Sequence, residues 1–142
     1  MTEPFTLLVA GTRTFNDYPL LDAKLSAYTE GITNLVLVTG EWRSIGKFTP
    51  GWIGADLLAE HWAELNRFSY KQFPPPFDQF PGKNRNAAFH VRNREMVEYV
   101  ASKPPDLRGA VLFWDGESDG TSEVRDLLKK HNVRTKTVYY KG

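Results

Sequence analysis

Phe5-Thr6-Leu7-Leu8-Val9-Ala10 is a short run of strand type, and it ends on Gly11-Thr12-Arg13. A strand that is almost continuously apolar, instead of alternating, is one covered on both faces. The same signature returns at Leu35–Thr39, stopped by Gly40, and at Ala110–Trp114, followed by Asp115-Gly116. Phe68–Phe73 alternates and predicts another strand, and Thr135–Tyr140 a fifth. Buried strands separated by helices predict a parallel sheet with helices on both sides. The expected fold is therefore a single α/β domain, a small Rossmann-like three-layer sandwich with a mainly parallel five-stranded sheet.

The stretches between the strands carry helical periodicity. Asp17 caps the first, with Pro19 in its opening turn and Leu21, Leu25, Tyr28 and Ile32 at helical spacing. Ala55–Leu65 places Leu58, Trp62 and Leu65 on one face. Residues 74–82, with four Pro, predict a stiff loop. Asn86–Val100 carries a stripe of Phe89, Met96 and Val100, and Pro104-Pro105 prevents its continuation. Val124, Leu127, Leu128 and His131 mark the last helix.

Composition narrows the chemistry. The 142 residues include 18 Lys+Arg, 17 Asp+Glu, three His and no Cys. Zero Cys excludes a disulfide framework, a thiolate metal site and a Cys nucleophile. The His residues, at 61, 90 and 131, are too scattered for an H-x-x-x-H metal motif, so neither a metal nor a cofactor is expected. No apolar run approaches the ~18 residues that span a membrane, and no secretory signal is visible, so the expected location is the cytoplasm. The net charge of +1 hides an asymmetry: residues 1–82 hold six basic and nine acidic side chains, residues 83–142 twelve and eight. Lys83, Arg85, Arg92 and Arg94 form the densest basic cluster, which suits an anionic ligand or a solvated face.

In parallel sheets of this kind ligands bind beyond the carboxyl ends of the strands, where the topology switches. Three loops lie there. Gly11-Thr12-Arg13 offers close backbone approach and a planar guanidinium fork, although a tight turn with a solvated Arg accounts for it equally. The second loop runs from Gly40 to Asp56. Gly54-Ala55-Asp56 at its end suits an anion held on helix amides, or amides satisfied by Asp56 itself. Trp42 and Trp52 within it could stack on a base or cover the core edge. The third, Asp115-Gly116-Glu117-Ser118-Asp119-Gly120-Thr121, has the small and hydroxylated residues that suit a phosphate or ribose, or a capped turn. Asn93, four residues after Phe89 and three before Met96, should face inward, where its amide needs partners. His90, two residues before Arg92, is within reach of a ligand there.

Four ordered motifs carry a resemblance over most of the chain: Gly11-Thr12-Arg13-Thr14-Phe15-Asn16-Asp17, Gly54-Ala55-Asp56-Leu57-Leu58-Ala59-Glu60, Arg92-Asn93-Arg94-Glu95-Met96 and Phe113-Trp114-Asp115-Gly116-Glu117-Ser118-Asp119-Gly120-Thr121. Together they resemble the YspA-like (YpsA-related) branch of the SLOG superfamily of Rossmann-like proteins. The resemblance implies a nucleotide or nucleotide-derived ligand at the strand ends, with sensing of NAD-derived signals among the proposed roles. It also implies a distant relation to Lonely Guy-type phosphoribohydrolases, which cleave the N-glycosidic bond of nucleoside monophosphates. Phe89-His90-Val91-Arg92-Asn93-Arg94-Glu95-Met96 is similar to their M-H-x-R-K-x-x-M motif, so Arg92 matches the functional Arg. Gly120-Thr121 match part of P-G-G-x-G-T-x-x-E, but the position of the catalytic Glu is Val124, with Glu123 one place early. One residue along a helix turns a side chain by roughly 100°. Residues 41–53 are an insertion relative to the usual G-G-A-x-G-A-D, and Phe89 stands where a Gly would be usual.

The leading expectation is thus binding, by sensing or sequestration, of a nucleotide-derived ligand such as an ADP-ribose or NAD-type molecule. Its candidate contacts are Gly11, Thr12, Arg13, Gly40, Gly54, Ala55, Asp56, Arg92, Asn93, Asp115, Gly116, Ser118, Gly120 and Thr121. The alternative is a nucleotide N-glycosidase or phosphohydrolase, with Arg92 holding phosphate and Glu123, Asp115 or Asp119 supplying the carboxylate. A third reading, single-stranded nucleic-acid binding by the basic cluster with Phe77, Phe80 and Phe89, is disfavoured by the near-neutral total. A homo-oligomer is compatible with the aromatic content, as relatives often dimerise, though no feature fixes a stoichiometry.

Overall fold

The computed structural model describes residues 3–40, 54–82 and 85–141, with Arg85 described as backbone only. Trp42, Arg43, Trp52 and Lys83, with the rest of the 41–53 insertion and the Arg85 side chain, lie outside the described residues.

The strands are β1 (Phe5–Gly11), β2 (Leu35–Thr39), β3 (Ser69–Gln72), β4 (Arg108–Trp114) and β5 (Thr135–Tyr139). They form one sheet in the order β3-β2-β1-β4-β5, and every pairing in it is parallel. The helices are α1 (Tyr18–Tyr28), α2 (Ala55–Leu65), α3 (Arg85–Ala101) and α4 (Asp119–Lys130). Short 3₁₀ turns occupy Phe77–Gln79 and Pro105–Leu107. The order places β1 at the centre, and the chain reverses its direction of travel across the sheet between β3 and β4. The switch point is the gap between the ends of β1 and β4. The Rossmann-like α/β architecture expected from the sequence is thereby observed.

The alternating sides of the central strands explain the three layers. Leu7 and Val9 of β1, Leu35 and Leu37 of β2, and Val111 and Phe113 of β4 pack with Leu21, Leu25, Leu58 and Trp62 of α1 and α2. Leu8, Ala10, Val38, Ala110 and Leu112 face the other way, against Met96, Val97, Val100, Val124 and Leu128 of α3 and α4. Such two-sided burial is why the three strands read as unbroken apolar runs. β3, at one edge, has no fully buried residue, which is why it alternates instead.

Helix ends follow local chemistry. The Asp17 carboxylate accepts from the Leu20 amide at 3.0 Å to begin α1. The helix stops at Tyr28, with the Thr29 hydroxyl donating to the Leu25 carbonyl at 2.7 Å and Gly31 at φ +82° beyond it. Ile32 therefore lies past the helix in which its spacing placed it, packed against the same core from the following turn. Leu65 departs from expectation too: it is 62% exposed, while Trp62 is buried and donates from Nε1 to Asp22 at 3.0 Å. α4 begins at Asp119, earlier than its apolar periodicity indicates, because its first turn is built from small polar residues. Among the described residues no helix is long and apolar enough to cross a membrane.

Candidate functional site

At the switch point lies a cavity of about 100 Å³. The ends of β1 (Ala10, Gly11, then Arg13) and β2 (Gly40) form one side, with Asp56 from the first turn of α2. Phe89, Arg92, Asn93 and Met96 of α3 form a second wall, and Ser118, Gly120, Thr121 and Val124 at the start of α4 a third.

Two arginines converge on it from distant parts of the chain. The Arg13 guanidinium lies 4.7 Å from the centre of the Phe89 ring, and that of Arg92 lies 5.6 Å from the same ring. One aromatic side chain is a platform for both cations. Phe77 meets the ring edge-on at 5.2 Å and holds it. Arg92 Nε donates to Asn93 Oδ1 at 2.7 Å, and its Nη1 donates to the Gly40 carbonyl. Burial pushes the Arg92 pKa down from its ordinary value; Asp56 pulls it back up, Arg13 presses it down again, and Glu123 raises it. Arg13 follows the same pattern, lowered by burial and raised by Asp56. A largely buried Arg92 and a more exposed Arg13 beside one carboxylate make a site where an added anion would offset a desolvation cost.

The start of α4 contributes backbone. Its N-cap residue, Ser118, makes no side-chain capping bond, and among the described residues no group accepts from the amides of Asp119, Gly120 and Thr121. A Cβ added at Gly120 would meet nothing within 4 Å. The loop leading in is tied by side chains: Asp115 Oδ1 accepts from the Glu117 and Ser118 amides, both at 2.9 Å, and Trp114 Nε1 donates to the Ser118 carbonyl at 3.0 Å. Those amides, the Glu117 one foremost, hold the Asp115 carboxyl below its ordinary pKa.

The cavity thus brings together Gly11, Arg13, Gly40, Asp56, Arg92, Asn93, Ser118, Gly120 and Thr121 from the sequence-derived candidates. The others lie off it. Thr12 is buried and ties β1 to β4: its amide donates to the Phe113 carbonyl at 3.0 Å. The Gly54 amide is spent on the Phe15 carbonyl at 2.7 Å, and Ala55 is packed against Gly11. Asp115 and Gly116 shape the turn, with Gly116 at φ +86°. Glu123 points its carboxylate between the helices, accepting from Asn93 Nδ2 at 2.7 Å and meeting His90 Nδ1 at 2.5 Å. Val124, where the hydrolase resemblance puts a Glu, is a buried apolar wall. His61 packs on Tyr18 and His131 follows the end of α4, both away from the cavity.

Two features escaped the sequence reading. The pairing of Arg13 with Phe89 is visible only in the fold: the sequence offers Phe89 as a member of an apolar stripe and as a stacking surface beside the basic cluster. Glu60 is fully buried, accepting from the Thr39 hydroxyl at 2.6 Å and Gln72 Nε2 at 2.9 Å at the ends of β2 and β3. Its signal was the one-turn spacing from Asp56, which puts both acids on the same side of α2. Among the described residues no His, Asp and Glu cluster could hold a metal ion.

No protein-family model matches the chain, and no curated protein matches its sequence. Among solved structures the chain is similar to the C-terminal domain of a hydrogenase from Pyrococcus furiosus, at 18% identity and a TM-score of 0.49, over 97% of this chain and 95% of that one.

Proposed function

We propose that the chain binds a phosphate-bearing nucleotide or nucleotide-derived ligand, of the ADP-ribose or NAD type, as a sensing or sequestering domain. The observation that carries this reading is the convergence of Arg13 and Arg92, across one Phe89 ring, on a cavity that also takes the open start of α4. Charge, a guanidinium fork and helix amides together are what a phosphoryl group needs. The cavity, about 100 Å³, is small, so it would take the phosphoryl group with the remainder of the ligand outside. The four motifs resembling the YspA-like branch support the same ligand class. Thermal unfolding with ADP-ribose, NAD and AMP tests it: at a hundredfold excess over Kd the ligand should add about 2.7 kcal/mol of stability. Arg92→Ala should abolish the gain. No shift across a broad nucleotide panel would overturn the reading.

A second reading, an N-glycosidase acting on nucleotides, is favoured by one observation. The carboxylate that lines the cavity beside both arginines is that of Asp56, rather than Glu123. Asp56 would then supply the acid–base or oxocarbenium-stabilising group. Release of free base from AMP, lost in Asp56→Asn, is the expected result; wild-type protein that liberates none excludes it.

A further inference from the structure

Asn93 is 3% exposed and makes one bond with each end of its amide. The NH2 group donates across to Glu123 Oε1 on α4, and the oxygen accepts from Arg92 Nε, both at 2.7 Å. A carboxylate can only accept, so it dictates which end of the amide faces it. Turned over, the amide would set its NH2 against the Arg92 Nε–H, donor against donor. Glu123 is itself held, since its other oxygen meets His90 Nδ1 at 2.5 Å. On the far side of the guanidinium, Nη1 donates to the Gly40 carbonyl, and a Cβ at Gly40 would come within 2.6 Å of that nitrogen. Arg92 is therefore pinned at Nε and at Nη1. Nη2 has no hydrogen-bond partner among the described residues, which leaves that edge to an anion.

We infer that Glu123 is a positioning residue, which through the Asn93 amide fixes the guanidinium of Arg92 for anion capture. It does not touch the ligand: Val124, the next residue, lines the cavity and Glu123 does not. A carboxylate one place out of register for chemistry is in register for orienting the arginine. The anion-capture part of this statement rests on the function proposed above; the orientation of Arg92 does not.

The test separates the two by reading the arginine without ligand. In the intact chain, the Nε–H proton of Arg92 is followed by NMR, assigned by its disappearance in R92K, and inorganic phosphate is then titrated in. In wild-type protein this proton should exchange slowly with solvent. E123A should speed its exchange about tenfold and weaken phosphate binding by a similar factor, the worth of one hydrogen bond to a charged group. E123Q keeps an oxygen that can accept from Asn93 and should restore both values to within about twofold of wild type. E123M, which keeps the length of the side chain and removes both oxygens, should match E123A in both readings. An Arg92 Nε–H that exchanges as slowly in E123A as in wild type overturns the inference. Should E123A fail to fold, an Arg92 Nε–H that exchanges as slowly in E123M as in wild type overturns it. Slow exchange that responds as stated, in a protein that binds no phosphate, upholds the positioning role and removes the anion-binding reading instead.

Discussion

The starts of α2 and α4 look alike in sequence and behave differently in the fold. Each follows the carboxyl end of a strand and a connecting loop, and each has a glycine and a small residue at its start, Gly54-Ala55 at the cap of α2 and Gly120-Thr121 in the first turn of α4. At α2 the glycine is a packing device. Its φ of +93° suits no side chain, a Cβ would sit 3.0 Å from the Arg13 carbonyl oxygen, and its amide is bonded to Phe15. Next to it, Gly11 lacks a Cβ because one would run into the Phe113 carbonyl and Ala55. At α4 the glycine borders open space, and among the described residues nothing accepts from the first amides. A glycine at a helix start thus reports either a close approach made by the protein itself or room left for something else, and only the neighbours tell which.

Gly54→Ala should strain the backbone and press on the Arg13 carbonyl, costing about 1–3 kcal/mol in chemical denaturation. A cost near zero would mean that the start of α2 is as open as that of α4. Gly120→Ala should do the reverse for stability, raising it by about 0.5 kcal/mol through helix propensity, yet it should remove the nucleotide-induced thermal shift by placing a methyl group on the cavity wall. Retention of the shift would leave the α4 start without a role in binding. The smallest effect belongs to the loop that presents α4. Asp115 has a folded-state pKa below its unfolded one, so it adds stability above about pH 4 that is lost as the pH falls through the folded value. Wild type and Asp115→Asn should differ slightly in melting temperature near pH 7 and converge in acid; a difference that persists at low pH would contradict the amide bonds as its source.

Much of this fold could be read from the chain because punctuation and burial coincide. β2 and α2 occupy Leu35–Thr39 and Ala55–Leu65, the bounds expected from an apolar run closed by Gly40 and a helix opened after Gly54. Periodicity misled where a residue is apolar for another reason: Ile32 packs from a turn, and Leu65 lies on the surface. The rule that ligands gather beyond strand ends pointed to Arg13, Ser118 and Gly120, and the basic cluster to Arg92, all on the cavity. It could not separate them from Thr12, Gly54 and Asp115, which use their bonds to hold the loops in shape. That division depends on which way each side chain turns once the strands are paired, a tertiary property with no local signature. Of the two cations over Phe89, Arg92 is a one-turn neighbour on α3, whereas Arg13 meets the ring only after β1 and α3 are assembled.

The crossing of the chain between β3 and β4 has a kinetic consequence. Because β4 must reach past β2 and lie beside β1, the pairing that closes the switch point joins segments distant in sequence, and loop-closure entropy delays such contacts. The pocket is then expected to form late in folding. An anion seated between Arg13, Arg92 and α4 recognises the finished state and little that precedes it, so it should prolong the lifetime of the native protein while leaving the rate of folding almost untouched.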